Sequence, residues 1–258
     1  MDWSEHFAGK AAVVTGAAGV IGRFLVEGCL AAGMKVMASD RDAAALADLA
    51  GRGCATHLTE LTEAASIEAL VAATADAFGA PDLVVNNAGV YPSGFLLDIP
   101  AAEWDRIMDV NLRAPFLVSA GFAKAMIAAG KGGSIINISS GASRKMRRSV
   151  VPYCVSKTAL DRLTKGFALE LAEFGIRVNA VEPGFAPGST ASPLTDEHVA
   201  GTLAQIPLGR GTSREDVVNA VLFAASPLAG YMTGGTITVD GGNSIGSLAV
   251  YQAKKRPL

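Results

Sequence analysis

The stretch "KAAVVTGAAGVIGRFL", Lys10 to Leu25, decides the fold. A short apolar run leads into an amphipathic helical pattern, with Gly16, Gly19 and Gly22 between them. Glycine at such a junction permits a tight turn and close approach of a pyrophosphate. The helix that follows offers free N–H groups and a partial positive charge. Its place at the first strand–helix junction favours a dinucleotide site over a merely structural turn. The phosphate-facing element is then Gly16, Gly19, Val20, Ile21 and Gly22.

Working outward, further apolar runs follow: "KVMAS" (35–39), "ATHL" (55–58), "LVVN" (83–86), "GSIINI" (133–138), "RVNAV" (177–181) and "TITVD" (236–240). Nearly continuous apolar runs are how strands buried on both faces of a parallel sheet read. Helical patterns lie between them. The clearest runs from Pro152 to Phe174, with Leu160, Leu163, Phe167 and Leu171 on one face and Gly175 as its stop. Sustained strand–helix alternation predicts an α/β fold, a doubly wound parallel sheet of the Rossmann type with about seven strands and helices on both faces. With no linker or repeat, residues 1–258 read as a single domain. The least regular stretch, 183–211, reads as a long loop with a short helix, its substrate-facing part about 185–211.

Of the 258 residues 50% are hydrophobic and 18% charged, and the formal net charge is −2. That balance argues against nucleic acid and anionic membranes as partners. No apolar run reaches the ~18–20 residues that span a bilayer. Cys29, Cys54 and Cys154 are odd in number and widely spaced. They point to a reducing, cytoplasmic setting, with no disulfide framework and no zinc site. His6, His57 and His198 are isolated, so no metal is expected.

The second strand ends in "ASDRD". Asp40 is placed to accept hydrogen bonds from the ribose hydroxyls and to repel a 2′-phosphate, which favours NAD(H) over NADP(H). Arg41 follows directly and could pair with such a phosphate, so NADP stays open.

Two stretches read Tyr-x-x-x-Lys: "YCVSK" from Tyr153 and "YQAKK" from Tyr251. The first lies at the start of the long helix, after Pro152, with Ser140 upstream at the end of a buried strand. Together with "NNAG" (86–89), "VNL" (110–112), "NISS" (137–140), "RVNAVEPG" (177–184) and "GGTITVDGG" (234–242), it makes the chain resemble the short-chain dehydrogenases/reductases, in the branch of about this length, from Lys10 to Asn243. Tyr251 and Lys255 lack such a serine and sit in a polar tail, 246–258, as a chance match.

The resemblance implies catalysis by Asn111, Ser140, Tyr153 and Lys157 on a secondary alcohol or ketone. Lys157 and the oxidised nicotinamide would lower the Tyr153 pKa towards neutrality, Ser140 would hold the substrate oxygen, and Asn111 would hold a relay water. It also implies that Asn87, Ala88 and Gly89 border the adenosine ribose, that Pro183 and Gly184 border the nicotinamide, and that the Ala186 backbone reaches its carboxamide. Members of the family commonly pair the helices near 112–129 and 152–174 across a two-fold axis and form tetramers, so a homotetramer is expected.

The chain departs from the pattern in four places. Val20 stands where the branch has its middle glycine, and Glu60, before Leu61, replaces the usual Asp near the adenine. Gly188 stands where a Thr is expected, with Ser189 or Thr190 as substitutes. Finally, Arg144, Lys145, Arg147 and Arg148 crowd the segment bordering the substrate pocket. The three arginines suit an anionic substrate, against the plainer reading of a solvated or subunit-facing turn. A second enzyme reading is a 3-oxoacyl-acyl-carrier-protein reductase, which Asp40 opposes because those enzymes usually favour NADPH. The remaining alternative is a non-catalytic dinucleotide sensor or scaffold.

Overall fold

The apolar runs form strands β1 (Ala11–Thr15), β2 (Lys35–Asp40), β3 (Ala55–Leu58), β4 (Leu83–Asn86), β5 (Gly133–Ile138), β6 (Ile176–Pro183) and β7 (Thr236–Val239). The structure is a computed structural model that describes residues 2–91, 93–188, 194–246 and 248. All seven strands join one parallel sheet in the order β3-β2-β1-β4-β5-β6-β7. The chain order reverses between β1 and β4, and a crevice at the carboxyl ends of such strands is where ligands bind in this architecture.

Helices cover both faces: α1 (Ser4–Phe7), α2 (Val20–Ala31), α3 (Ala43–Gly51), α4 (Ala64–Phe78), α5 (Ala101–Met108), α6 (Ala114–Ala128), α7 (Val151–Leu171), α8 (Asp196–Leu203) and α9 (Arg214–Ala225). Successive strand residues point into opposite cores, as a period of two requires. Val14 joins Leu25, Cys29 and Val221 on the α2/α9 side, whereas Val13 joins Leu70, Val118 and Phe122 on the α4/α6 side. Helices α2 and α9 touch so closely at Gly28 that a Cβ there would lie 2.4 Å from Val218 Cγ1.

Two helix boundaries differ in kind from the sequence expectation. The helix expected over 152–174 is α7 followed by a 3₁₀ turn, Ala172–Phe174, that ends at Gly175 in the left-handed region with φ 68°. The helix expected over 112–129 begins instead with a π turn, Asp109–Arg113, ahead of α6. Such one-turn widenings hold a side chain out of the regular ladder and recur at functional sites. The loop after β6 carries α8, whose cap Thr195 accepts from His198 N at 3.2 Å. No helix among the described residues is long and apolar enough to cross a membrane. Ser189, Thr190, Tyr251 and Lys255 lie outside the described residues.

Candidate active site

The glycine turn is built for close approach. Gly16 takes φ +63°, and a Cβ on it would meet Ala88 Cα at 2.7 Å. A Cβ on Gly22 would meet the Gly16 carbonyl at 2.1 Å. Gly19 caps α2 with extended backbone and no side chain, so the first N–H groups of the helix, from Val20, Ile21 and Gly22, keep no side-chain acceptor. Asn87 Nδ2 donates to the Thr15 carbonyl at 3.0 Å and the Gly16 carbonyl at 2.9 Å, fixing the turn against the end of β4. Gly89 follows at the surface. A bare helix N-terminus behind a backbone with no room for side chains fits the pyrophosphate of a dinucleotide.

Asp40, half-buried at the end of β2, reaches back to this turn. Its Oδ2 accepts from Ala18 N at 2.9 Å and its Oδ1 from Arg41 N at 2.8 Å. Helix capping falls to Asp42, which accepts from Ala44 N and Ala45 N. Glu60 Oε1 accepts from Thr62 N and Thr62 Oγ1 at 3.0 and 2.9 Å, and these bonds, with the nearby Arg41 charge, hold its carboxyl below the usual range. Arg41 therefore faces an acid of the protein itself. Leu61 packs partly buried on the α4/α6 core beside Thr15 and Ala88.

The four residues expected to act in catalysis converge at the carboxyl end of β4 and β5. Asn111 is fully buried within the π turn. Its Oδ1 accepts from Val90 N and its Nδ2 donates to the Val90 carbonyl, both at 2.8 Å, with a further bond to Ser156 Oγ at 3.1 Å. Lys157 Nζ donates to the Ile138 carbonyl at 2.8 Å and stands 5.8 Å from the centroid of the Tyr153 ring. A Cβ on Gly89 would meet Asn111 Oδ1 at 3.5 Å and Lys157 Nζ at 3.6 Å, so amide, ammonium and glycine share one small space. Ser140 accepts from Ala142 N at 3.2 Å and lies within side-chain hydrogen-bonding reach of the Tyr153 phenol.

Burial dominates the electrostatics of the two titratable groups. Burial pushes the Tyr153 phenol above its ordinary value, although Ser140 and the Arg147 charge favour its ionised form. The Lys157 ammonium is itself disfavoured by burial and brought down to about 8, against the attraction of Asp161. A lysine so desolvated donates to a carbonyl, and the protein's own groups leave the phenol a weak acid.

Pro183 ends β6 opposite Val239, and Gly184 N donates to the Val239 carbonyl at 2.9 Å. A Cβ on Gly184 would meet Thr212 Oγ1 at 2.6 Å, which keeps this corner bare backbone. Ala186 follows, half-buried, and Gly188 takes φ +99°.

The arginines divide. Arg144 Nη2 donates to Glu182 Oε2 at 2.6 Å, to Ser244 Oγ at 2.9 Å and to Thr238 Oγ1 at 3.1 Å. Its Nη2 thus serves the buried Glu182, while the side chain remains 47% exposed. Arg148 Cζ stands 5.1 Å over the Phe95 ring. Arg147 lies on the Tyr153 side of the turn, close enough for its charge to act on the phenol.

Several participants escape a motif reading. Glu182, wholly buried, accepts from Arg144, Thr238 Oγ1 and Ser143 Oγ. A lone acid in an apolar run was the available signal, since a buried carboxylate needs partners. Asp161 accepts from Ser139 Oγ at 2.5 Å, one helical turn past Lys157. Tyr91 packs its ring 5.7 Å from that of Tyr153, and nothing local in the sequence announces it.

The chain is similar over nearly its whole length to known proteins. Residues 16–244 match the family model described as enoyl-(acyl carrier protein) reductase. The 3-oxoacyl-acyl-carrier-protein reductase FabG of Escherichia coli is 37% identical over 240 residues, 92% of this chain and 98% of that one. A short-chain type dehydrogenase/reductase from Mycobacterium marinum superposes with a TM-score of 0.86 at 32% identity, over 93% of this chain and 98% of the other. A protein of Beutenbergia cavernae, described as an NAD(P)-dependent gluconate 5-dehydrogenase and holding NADP at low occupancy, gives a TM-score of 0.84 at 32% identity over 95% and 100%. The chain belongs to the short-chain dehydrogenases/reductases, oxidoreductases of the CH–OH group.

Proposed function

We propose that this protein interconverts a secondary alcohol and a ketone, with NAD(H) preferred over NADP(H). The observation that carries the reading is the convergence of Ser140, Tyr153 and Lys157 beside a bare glycine turn that the Asp40 carboxylate faces. When bound, the nicotinamide supplies or accepts the hydride. Gly16, Gly19, Val20, Ile21 and Gly22 would hold the pyrophosphate, Asp40 the ribose, and Glu60, Leu61, Asn87, Ala88 and Gly89 the adenosine half. Pro183, Gly184 and Ala186 would border the nicotinamide.

The chain's own residues divide the remaining chemistry. Ser140 orients the substrate oxygen by a hydrogen bond. Tyr153 passes the proton to or from that oxygen, and its position between Ser140 and Lys157 suits a general acid. Lys157 supplies positive charge that steadies the phenolate, and the Asn111 clamp on Val90 keeps the wall beside it in place. An acidic side chain at Asp40 is unfavourable to a 2′-phosphate, which supports NAD(H).

A 3-oxoacyl-acyl-carrier-protein reductase is the second reading, favoured by the FabG likeness and by the exposed cations near the site. A homotetramer is supported by exposed apolar side chains on the helices named for pairing, Phe116 at 46% and Leu169 at 83%, and by Tyr231 at 107% near β7. Three buried free thiols, Cys29, Cys54 and Cys154, support a cytoplasmic setting.

The test is a screen of carboxylated, phosphorylated and neutral alcohols with NAD and with NADP. Turnover with NAD that Tyr153→Phe lowers by about 10²- to 10⁴-fold supports the reading. Full turnover in that variant removes the proton donor, clear NADP preference removes the argument from Asp40, and dinucleotide binding without any turnover leaves a sensor.

A further inference from the structure

We propose that the substrate is an apolar hydroxy or oxo acid whose carboxylate is held by Arg147. This rests on the dehydrogenase reading above and deepens it.

Four cations crowd the turn between Ser140 and Tyr153, and the structure separates their duties. Arg144 is bound to Glu182, Thr238 and Ser244. Arg148 lies over Phe95. Lys145 is exposed. Arg147, like Lys145 and Arg148, has no acidic side chain within 4.0 Å among the described residues. Of the four cations, it is the one whose charge acts on the Tyr153 phenol.

The turn that carries Arg147 is pinned in place. Its carbonyl accepts from Val150 N at 3.4 Å at the start of α7, two residues before Ser149's left-handed φ of 68°. The Ser149 carbonyl accepts from Gly94 N at 2.7 Å and so ties the turn to the segment after β4. That segment brings Tyr91 against Tyr153 and leaves Phe95 54% exposed, while Met146 beside Arg147 is 61% exposed. This turn therefore brings the Arg147 guanidinium, which has no acidic partner among the described residues, together with aromatic and aliphatic surface. A guanidinium fork matches a carboxylate, and an apolar body gains by covering the rest. Reduction leaves the carboxylate unchanged: the ketone carbon gains a hydride and its oxygen gains the Tyr153 proton.

The test offers the full-length protein 2-, 4- and 5-oxooctanoate with NADH, each beside its methyl ester, and acetoacetyl-coenzyme A as the thioester arm. At least one acid should exceed its ester in kcat/KM by about 10- to 100-fold. Arg147→Gln should bring that ratio to about one, with Arg147→Lys between. Calorimetry with octanoate, which has no carbonyl to reduce, reads the anion seat without turnover and should weaken about tenfold in Arg147→Gln. Equal rates on acid and ester, a preference that survives in Arg147→Gln, or a thioester that outruns every acid and ignores the substitution would overturn the proposal. Octanoate binding through Arg147 with no ketone reduced would sink the dehydrogenase reading and leave the anion seat standing. Ester turnover without octanoate binding would do the reverse.

Discussion

Ser139 Oγ donates to Asp161 Oδ1 at 2.5 Å, which joins the residue before Ser140 to the helical turn after Lys157. Asn137 Nδ2 donates to Thr164 Oγ1 at 2.8 Å one step along the same strand and helix, and the Ile138 carbonyl takes Lys157 Nζ between them. Strand β5 and helix α7 are thus laced by polar bonds at successive levels. Asp161 also favours the charged form of Lys157. Asp161→Asn keeps an acceptor for Ser139 and removes the charge. The limb of the pH–rate profile set by Lys157 should then move to lower pH, with a loss in kcat/KM of about 3- to 10-fold. Asp161→Glu should restore the limb, and an unmoved limb in the Asn variant would show that Asp161 only braces the helix.

Burial of Lys157 also makes stability depend on pH. Lys157 is 4% exposed, and burial brings its ammonium down to about 8 in the folded protein, against 10.5 for an ordinary lysine. The unfolded chain therefore holds the proton more tightly between those values, and stability rises with pH across that window. The contribution is complete above 10.5 and is lost as pH falls through about 8. Its full size is about 3 kcal/mol. Tyr153 works the other way at higher pH, because its raised folded pKa costs stability once the unfolded phenol ionises near 10. Urea unfolding from pH 7 to about 9.5 should show a rise in the wild type that Lys157→Met removes.

Asp40 serves both the turn and the specificity. Its bond to Ala18 N means that Asp40→Ala loosens the glycine turn and removes the charge together. Asp40→Asn removes the charge but keeps one acceptor oxygen, enough for Ala18 N while the Arg41 and Asp42 N–H groups lose theirs to water. The ratio of kcat/KM with NAD to that with NADP should fall about 10- to 100-fold in both variants, whereas the alanine should lose more thermal stability than the asparagine. An unchanged ratio in Asp40→Asn would assign the preference elsewhere.

At Gly28, helix propensity and packing pull in opposite directions. Alanine favours a helix by about 1 kcal/mol over glycine. The Cβ, however, would sit 2.4 and 2.6 Å from the two methyl carbons of Val218, a stiff β-branched residue. Overpacking wins, and Gly28→Ala should lower stability by about 1–3 kcal/mol. Adding Val218→Ala should return part of that loss in a double-mutant cycle; strictly additive losses would show that the helices shift apart instead.

The strands were legible because burial on both faces writes uninterrupted apolar runs, and the observed β3, β4 and β5 keep the expected bounds. The glycine turn and the Tyr153–Lys157 pair were legible because tight backbone approach and a shared helical face demand fixed residue types at fixed spacing. The π turn around Asn111 was not, since a helix widened by one residue keeps an ordinary helical composition. Equally hidden was the division of labour among the arginines. It depends on Glu182, distant in sequence from Arg144, and on the Ser149–Gly94 bond, which no local pattern encodes.

Arg144 and Glu182 supply the last expectation, an asymmetry. The Glu182 side chain is 1% exposed and that of Arg144 is 47% exposed. Removing the arginine leaves a carboxylate in the interior with only the Ser143 and Thr238 hydroxyls to satisfy it. Removing the acid's charge leaves a guanidinium that reaches water. Breaking a buried pair from its exposed end strands the charge that cannot escape, so Arg144→Ala should cost about 3 kcal/mol and Glu182→Gln about 1 kcal/mol. The double variant should be more stable than Arg144→Ala alone, because the stranded charge is gone. Urea unfolding of the three proteins reads the order directly. Because the pair anchors the turn that presents Arg147, Arg144→Ala should also raise KM for an acidic substrate more than it lowers kcat. The reverse order of stabilities would mean that Glu182 finds other partners and that the turn is held by its backbone bonds alone.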